Sequence, residues 1–174
     1  MTKKQIIIGT VLWCSLISIV LAIPYLPYDS KREVRVEFLD ETGSDTAYVF
    51  FGFTSCADVC PTTLGILRNI LNQQDSFDVL PQVAFVDIDL QSTADMAKNY
   101  ATQFHPNFIG HFPEGAELSS LIADFGLNIK QNNGAISHAG QTYLLQRENN
   151  KWWRVKTFNP QSISEPILRQ AIIK

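Results

Sequence analysis

Phe51-Gly52-Phe53-Thr54-Ser55-Cys56-Ala57-Asp58-Val59-Cys60-Pro61-Thr62-Thr63-Leu64 is where this chain turns from strand to helix. Upstream, Ala47 to Phe53 is a continuous apolar, β-prone run, the pattern of a central strand covered on both faces. Downstream, Leu64, Leu67, Ile70 and Leu71 recur at helical spacing. Pro61 suits a first helical turn, where its missing N–H has no partner to lose. Between strand and helix stand two of the chain's three cysteines, four residues apart. Such a pair can bind a soft metal, pass electrons or close a disulfide. Helix-mouth N–H groups and the positive end of the helix dipole favour the thiolate that the first two roles need. Two thiolates suit copper(I). A loop this short makes a poor structural staple, because closing it removes little entropy from the unfolded chain. Asp58, between the cysteines, is read either as an acceptor for helix N–H groups or as a solvated loop carboxylate.

Outward from this run the elements alternate. Val34, Val36 and Phe38 alternate with polar residues and predict a short strand, followed by a turn over Glu41 to Asp45. Val83 to Asp89 predicts a second buried strand. Thr93 to Phe104 predicts a helix with Met96, Ala97, Tyr100 and Phe104 on its inner face. Phe108 to Gly110 predicts a short strand, and Glu117 to Phe125 a helix stopped by Gly126. Tyr143 to Gln146 and Trp152 to Val155 flank Glu148-Asn149-Asn150 as a hairpin. Ser164-Glu165-Pro166 starts a last helix with Ser164 as its cap. This order predicts an α/β fold, a thioredoxin-like three-layer sandwich.

The chain has 174 residues, 45% hydrophobic and 18% charged, an ordinary globular balance. Its formal net charge of −3 leaves no basic footprint for nucleic acid. Lys3 and Lys4 precede an uncharged apolar run from Ile6 to Ile23, long enough for a membrane-spanning helix with its N-terminus in the cytoplasm. The expected organisation is a membrane anchor over 1–23, a tether over 24–35 and a thioredoxin-like domain over 36–174. Such a topology puts Cys56 and Cys60 outside the cytoplasm, where a working dithiol needs a thiol reductant or a metal. His138 lies in Ala135-Ile136-Ser137-His138-Ala139-Gly140, before the strand at Tyr143, and in a thioredoxin-like sandwich that loop enters beside the active helix mouth. By itself a lone loop histidine is an ordinary surface residue. His105 and His111 read as surface loop residues too, with no other metal ligands nearby.

The cysteine run is similar to F-G-[FY]-T-x-C-P-D-[VI]-C-P-T-x-L, the signature of the Sco/SenC family of copper-binding, thioredoxin-fold proteins that help to assemble cytochrome c oxidase. Val86-Asp87-Ile88-Asp89, Asn99-Tyr100 to Gly110, and Ser137-His138 followed by Tyr143-Leu144-Leu145 resemble further family segments, so the likeness runs from Ala47 to the C-terminus. The resemblance implies copper ligands at Cys56, Cys60 and His138. It also implies supporting acids at Asp58 in the loop and Asp89 at a strand end. It points to a metallochaperone rather than an enzyme, carrying copper(I), or copper(II), to the CuA centre on subunit II of the oxidase or to a related copper protein. The implied location is the bacterial inner membrane, single-pass, with the domain on the periplasmic side. The rival is a thiol–disulfide oxidoreductase in which Cys56 and Cys60 are catalytic. Against it, Gly140-Gln141-Thr142 stands where thioredoxin-like reductases resemble one another in carrying a cis-proline. The chain departs from the family pattern at Ala57 (usually proline), at Leu90-Gln91-Ser92-Thr93, which lacks its Pro and Arg-Asp, at Ala139 (often serine) and at His111 (usually apolar).

Overall fold

The computed structural model describes residues 3–22, 31–73, 79–132 and 135–172. These fall into two compact units, residues 1–30 and 31–174. In the first, α1 (Lys3–Ala22) is a 20-residue helix. It leaves Leu12, Trp13, Leu16 and Ile17 exposed. Its serines bond back to their own turn, Ser15 Oγ to the Leu12 carbonyl and Ser18 Oγ to that of Cys14. Among the described residues no helix is long and apolar enough to cross a membrane. The helix expected from the apolar run is therefore present, and its spanning role is not shown. Most of the expected tether lies outside the described residues.

The second unit is built on a six-stranded sheet of order β1 (Arg32–Val34), β8 (Lys151–Phe158), β7 (Thr142–Glu148), β2 (Thr46–Gly52), β3 (Gln82–Asp87), β4 (Ile109–His111). β2, β3 and β4 run parallel, and β7 lies antiparallel against β2 with Phe50 opposite Thr142. The β7–β8 hairpin turns on Asn149 and Asn150, at φ 52° and 62°, the left-handed pair a type I′ turn requires. β1 pairs with β8, so residues 32–34 of the expected tether belong to the sheet.

Alternation along β2 sends Tyr48 and Phe50 to one face and Ala47, Val49 and Phe51 to the other. The first face is covered by α2 (Val59–Asn72), α3 (Ala94–Phe104) and α5 (Glu165–Ile172). Leu64, Leu67, Ile70 and Leu71 of α2 are buried there, each contributing roughly 1.5–3 kcal/mol. The Tyr48 hydroxyl donates to the Leu168 carbonyl at 2.7 Å and ties α5 down. The second face takes Leu121 and Phe125 from α4 (Ala116–Phe125). Three layers result, as the element order predicts. A small separate hairpin, β5 (Lys130–Asn132) with β6 (Ala135–Ser137), precedes β7.

Three expectations are corrected. The alternation through Val36 and Phe38 is not strand: β1 ends at Val34, and a 3₁₀ turn spans Glu37–Thr42. There Leu39 N–H donates to the Val36 carbonyl, and Gly43 ends the turn at φ 74°. Met96 is not core but 46% exposed; the buried face of α3 is Ala97 and Ala101. His111 is no loop residue. It closes β4, stacks on Phe38 at 4.3 Å and puts Nε2 2.7 Å from Glu117 Oε1 at the start of α4.

Candidate metal centre

Gly52, the last residue of β2, lets the chain close down over the sheet end. A Cβ built there would lie 2.9 Å from Cys60 Sγ and 2.9 Å from the Phe85 ring, so only glycine leaves room for the sulfur. The loop then turns tightly, Cys56 N–H donating to the Phe53 carbonyl at 3.0 Å. Cys60 is the second residue of α2 and fully buried, whereas Cys56 is partly exposed. Both are free thiols. Both side chains pack into the same apolar cluster between the sheet and α2.

Burial pushes the Cys60 thiol up, helped by the Cys56 side chain, and the Phe53 hydrogen bond opposes this. The helix-mouth position therefore does not deliver a ready thiolate at Cys60. Burial is the largest influence on this thiol, and a metal taken up there would displace a proton. Asp58 occupies the N-cap position but makes no side-chain cap bond. Its carbonyl accepts from Thr62 N–H and Oγ1 instead, and its exposed carboxylate fits the solvated reading.

His138 follows β6 directly, half-buried in the turn into β7. Gly140, at φ 61°, swings this turn against α2, where its Cβ position would be 3.0 Å from Val59 Cγ1. The imidazole meets the Phe53 ring edge-on, with centroids 5.8 Å apart. Burial lowers its pKa, so the ring is neutral at pH 7. Gly140 N–H donates to Nδ1 at 3.0 Å, leaving the ring proton on Nε2. Phe53 thus meets the imidazole with its ring and the cysteine loop with its carbonyl. Among the described residues no three His, Cys, Asp or Glu side chains converge as a ready-made metal site. The structure brings Cys56 and Cys60 into one cluster and sets His138 against the Phe53 ring.

Two residues beside the thiols went unmarked in the sequence. Asp87, not Asp89, ends β3 and is fully buried. It accepts from Ser92 Oγ at 2.6 Å and from Asp89 N–H at 3.0 Å. Burial raises its pKa, and its field reaches Cys60. Asp89 is half-buried and accepts from Gln91 N–H. Tyr100, packed on Phe85 at 5.0 Å, is pushed up to about 12 by burial and then by Cys60, Cys56 and Asp87, so it too borders the pair. The available signals were the even spacing of Asp87 from Phe85 and the helical stripe that carries Tyr100.

With this geometry in hand, the family model described as SCO1/SenC matches residues 38–172. The chain belongs to the SCO1/SenC family. An SCO2-like protein of Rickettsia prowazekii is 30% identical over 118 residues, 62% of this chain and 57% of that one. The chain spans only a little over half the length of that SCO relative. Among solved structures, apo Sco1 from Thermus thermophilus superposes with a TM-score of 0.62 at 25% identity, covering 82% of this chain and 90% of that one. ScoI from Bradyrhizobium japonicum, solved with copper bound, gives 0.57 at 26% identity, covering 77% and 87%. The SCO1/SenC match thus takes in the thiol pair, Asp87 and His138 in one continuous stretch.

Proposed function

We propose that this protein is a membrane-anchored copper chaperone. Cys56 and Cys60 hold copper(I) as thiolates, and His138 adds a nitrogen ligand. What carries this reading is a pair of free thiols at a helix mouth, with a neutral imidazole packed on the phenylalanine that leads into their loop. Two soft sulfurs and one imidazole suit copper(I), and a structural relative solved with copper bound supports copper as the metal. Capture releases thiol protons, so affinity rises with pH. The acceptor is the CuA centre on subunit II of cytochrome c oxidase or a related copper protein, and a thiol reductant outside the cytoplasm keeps the pair loadable. Asp58, exposed beside the cysteines, belongs to the surface the acceptor meets, and Asp89 braces the loop after β3.

In the same proposal α1 anchors the chain in the bacterial inner membrane, with the domain on the periplasmic side. Exposed apolar side chains and serines bonded within their own helix suit lipid.

A second reading, thiol–disulfide exchange, is favoured by the partial exposure of Cys56 beside a buried partner thiol. One experiment separates the two: anaerobic copper(I) titration of the reduced protein against a competing chelator, with Cys56→Ser, Cys60→Ser and His138→Ala. The chaperone reading expects one tightly held ion, lost with either cysteine and weakened without His138. Weak binding indifferent to His138, with intact disulfide exchange, overturns it.

A further inference from the structure

Phe53 touches both halves of the candidate site. Its ring meets the His138 imidazole edge-on, with centroids 5.8 Å apart and planes inclined at 74°. Its carbonyl accepts from Cys56 N–H at 3.0 Å and so closes the turn that carries the first cysteine. The sheet explains the meeting. β7 lies antiparallel against β2 with Phe50 opposite Thr142, and that register, continued past the end of the ladder, sets Phe53 against the turn from His138 to Gly140. Gly140 keeps this turn close to α2, its Cβ position 3.0 Å from Val59 Cγ1. The backbone of His138 is thereby placed, but its ring is not. The last torsion of a histidine side chain is broad and roughly two-fold, so rotamer preference does not decide which edge of the ring points where. Two contacts decide it: the Gly140 N–H on Nδ1 at 3.0 Å, and the Phe53 ring.

One hydrogen bond leaves the imidazole free to pivot about the bonded atom, and an aromatic ring packed edge-to-face on it removes that freedom. We infer that Phe53 is a positioning residue, which sets the imidazole of His138 relative to the cysteine loop with its ring on the one and its carbonyl on the other. This rests on the copper reading above, in which His138 and the cysteines serve one ion. Phe53 offers the ion no ligand. Its part is to order the imidazole in advance, so that the cost of ordering it is not subtracted from binding. The carbonyl belongs to the backbone and survives any side-chain change. A leucine at this position therefore keeps the cysteine turn and most of the apolar bulk, and releases only the imidazole.

The test compares Phe53→Leu and Phe53→Tyr with wild type, each with and without His138→Ala, by competitive copper(I) titration of the reduced full-length proteins. Leu should bind copper(I) roughly three- to tenfold more weakly, and Tyr, which keeps the ring, within about twofold of wild type. In the His138→Ala background the Leu change should cost less than about twofold, because the side chain it serves is gone. A Leu variant that binds like wild type overturns the inference. So does a loss that persists undiminished without His138, which would mean a general loosening of the cysteine loop. Hydrogen exchange of the Gly140 amide, followed by NMR on the reduced proteins before copper is added, reads the hold on the imidazole without the metal. Relative to the buried amides of β7 it should be about fivefold or more faster in Leu and unchanged in Tyr. Equal exchange in Leu and wild type overturns the inference as well. Should Leu fail to fold, Phe53→Met takes its place in both measurements. If the wild-type affinity is indifferent to His138, the copper reading falls, and the exchange rates alone decide whether Phe53 holds the ring.

Discussion

Replacing Gly52 with alanine tests the packing that places Cys60. The new methyl would sit 2.9 Å from Cys60 Sγ, 2.9 Å from Phe85 Cε2 and 3.0 Å from Phe50 Cε1. Comfortable contacts between such atoms begin at about 3.5–4.0 Å, so something must give by about 0.6 Å. All three neighbours are fully buried, and the sulfur is held by the first turn of α2. Overpacking of this kind costs about 1–3 kcal/mol. The gain from a stiffer unfolded chain, about 0.4–1 kcal/mol, offsets part of it. A net loss of about 1–2 kcal/mol follows, which for a domain of this size lowers Tm by roughly 3–8 °C. Any displacement of the Cys60 sulfur would, on the copper reading, weaken copper(I) binding as well. Urea and thermal unfolding of the reduced protein measure the first effect, and chelator competition the second. A variant that unfolds within about 0.5 kcal/mol of wild type and binds copper(I) normally would show that Cys60 does not rest on Gly52.

Gly110→Ala should cost more, about 3 kcal/mol or above, because its methyl would meet backbone, 2.2 Å from the Ala97 carbonyl oxygen and 2.5 Å from Lys98 Cα. A urea midpoint close to wild type would contradict so close an approach of α3 to β4. Acid should weaken the fold through His138, whose buried imidazole resists protonation while the unfolded chain takes protons near pH 6.5. The unfolded state then binds more protons, so stability is full above about pH 6.5 and lost as pH falls through and below that value. His138→Ala should flatten a stability profile between pH 5 and 7.5, and an unchanged slope would remove His138 as its source. Asp87 carries the opposite sign. Its raised pKa makes its contribution favourable at low pH and lost as pH climbs through the folded value. Asp87→Asn should therefore be the more stable protein at pH 8, with the difference closing toward pH 4; a less stable variant at pH 8 would mean the ionised carboxylate is the better partner for Ser92 and the Asp89 amide.

Most of the frame was legible because its signals are local. The uninterrupted β2 run, the helical recurrence in α2, the Asn-Asn turn and Gly126 each act within a few residues, and β2, β3, α3, β4 and α4 lie within two residues of expectation. The 3₁₀ turn was not legible, because Val36 and Leu39 are buried at a spacing that alternation through Val36 and Phe38 conceals. Nor was the β5–β6 hairpin, whose Lys130-Gln131-Asn132 strand is polar and carries no period. At the site, residue types and spacing pointed to Cys56 and Cys60, and family likeness to His138. Choosing between Asp87 and Asp89 needed the strand's end, which depends on pairing with β2 and not on composition. The state of Cys60 needed its depth, a property of three packed elements that a helix-dipole argument does not contain.

On the copper reading proposed above, the hydrogen bond from Gly140 to His138 bears on how an ion would leave. The histidine is already satisfied within the protein, with its Nδ1 lone pair occupied at 3.0 Å. Taking up an ion through either ring nitrogen breaks that bond or forces the ring proton to change sides, and surrendering the ion restores it. The difference between full and empty is thereby narrowed by about one hydrogen bond, on the order of 0.5–1.5 kcal/mol, a few-fold in dissociation constant. A vault for copper would be built without such a competitor. In a courier of the kind proposed, delivery would leave behind a closed, self-contained histidine turn and no vacant ligand to recapture the ion.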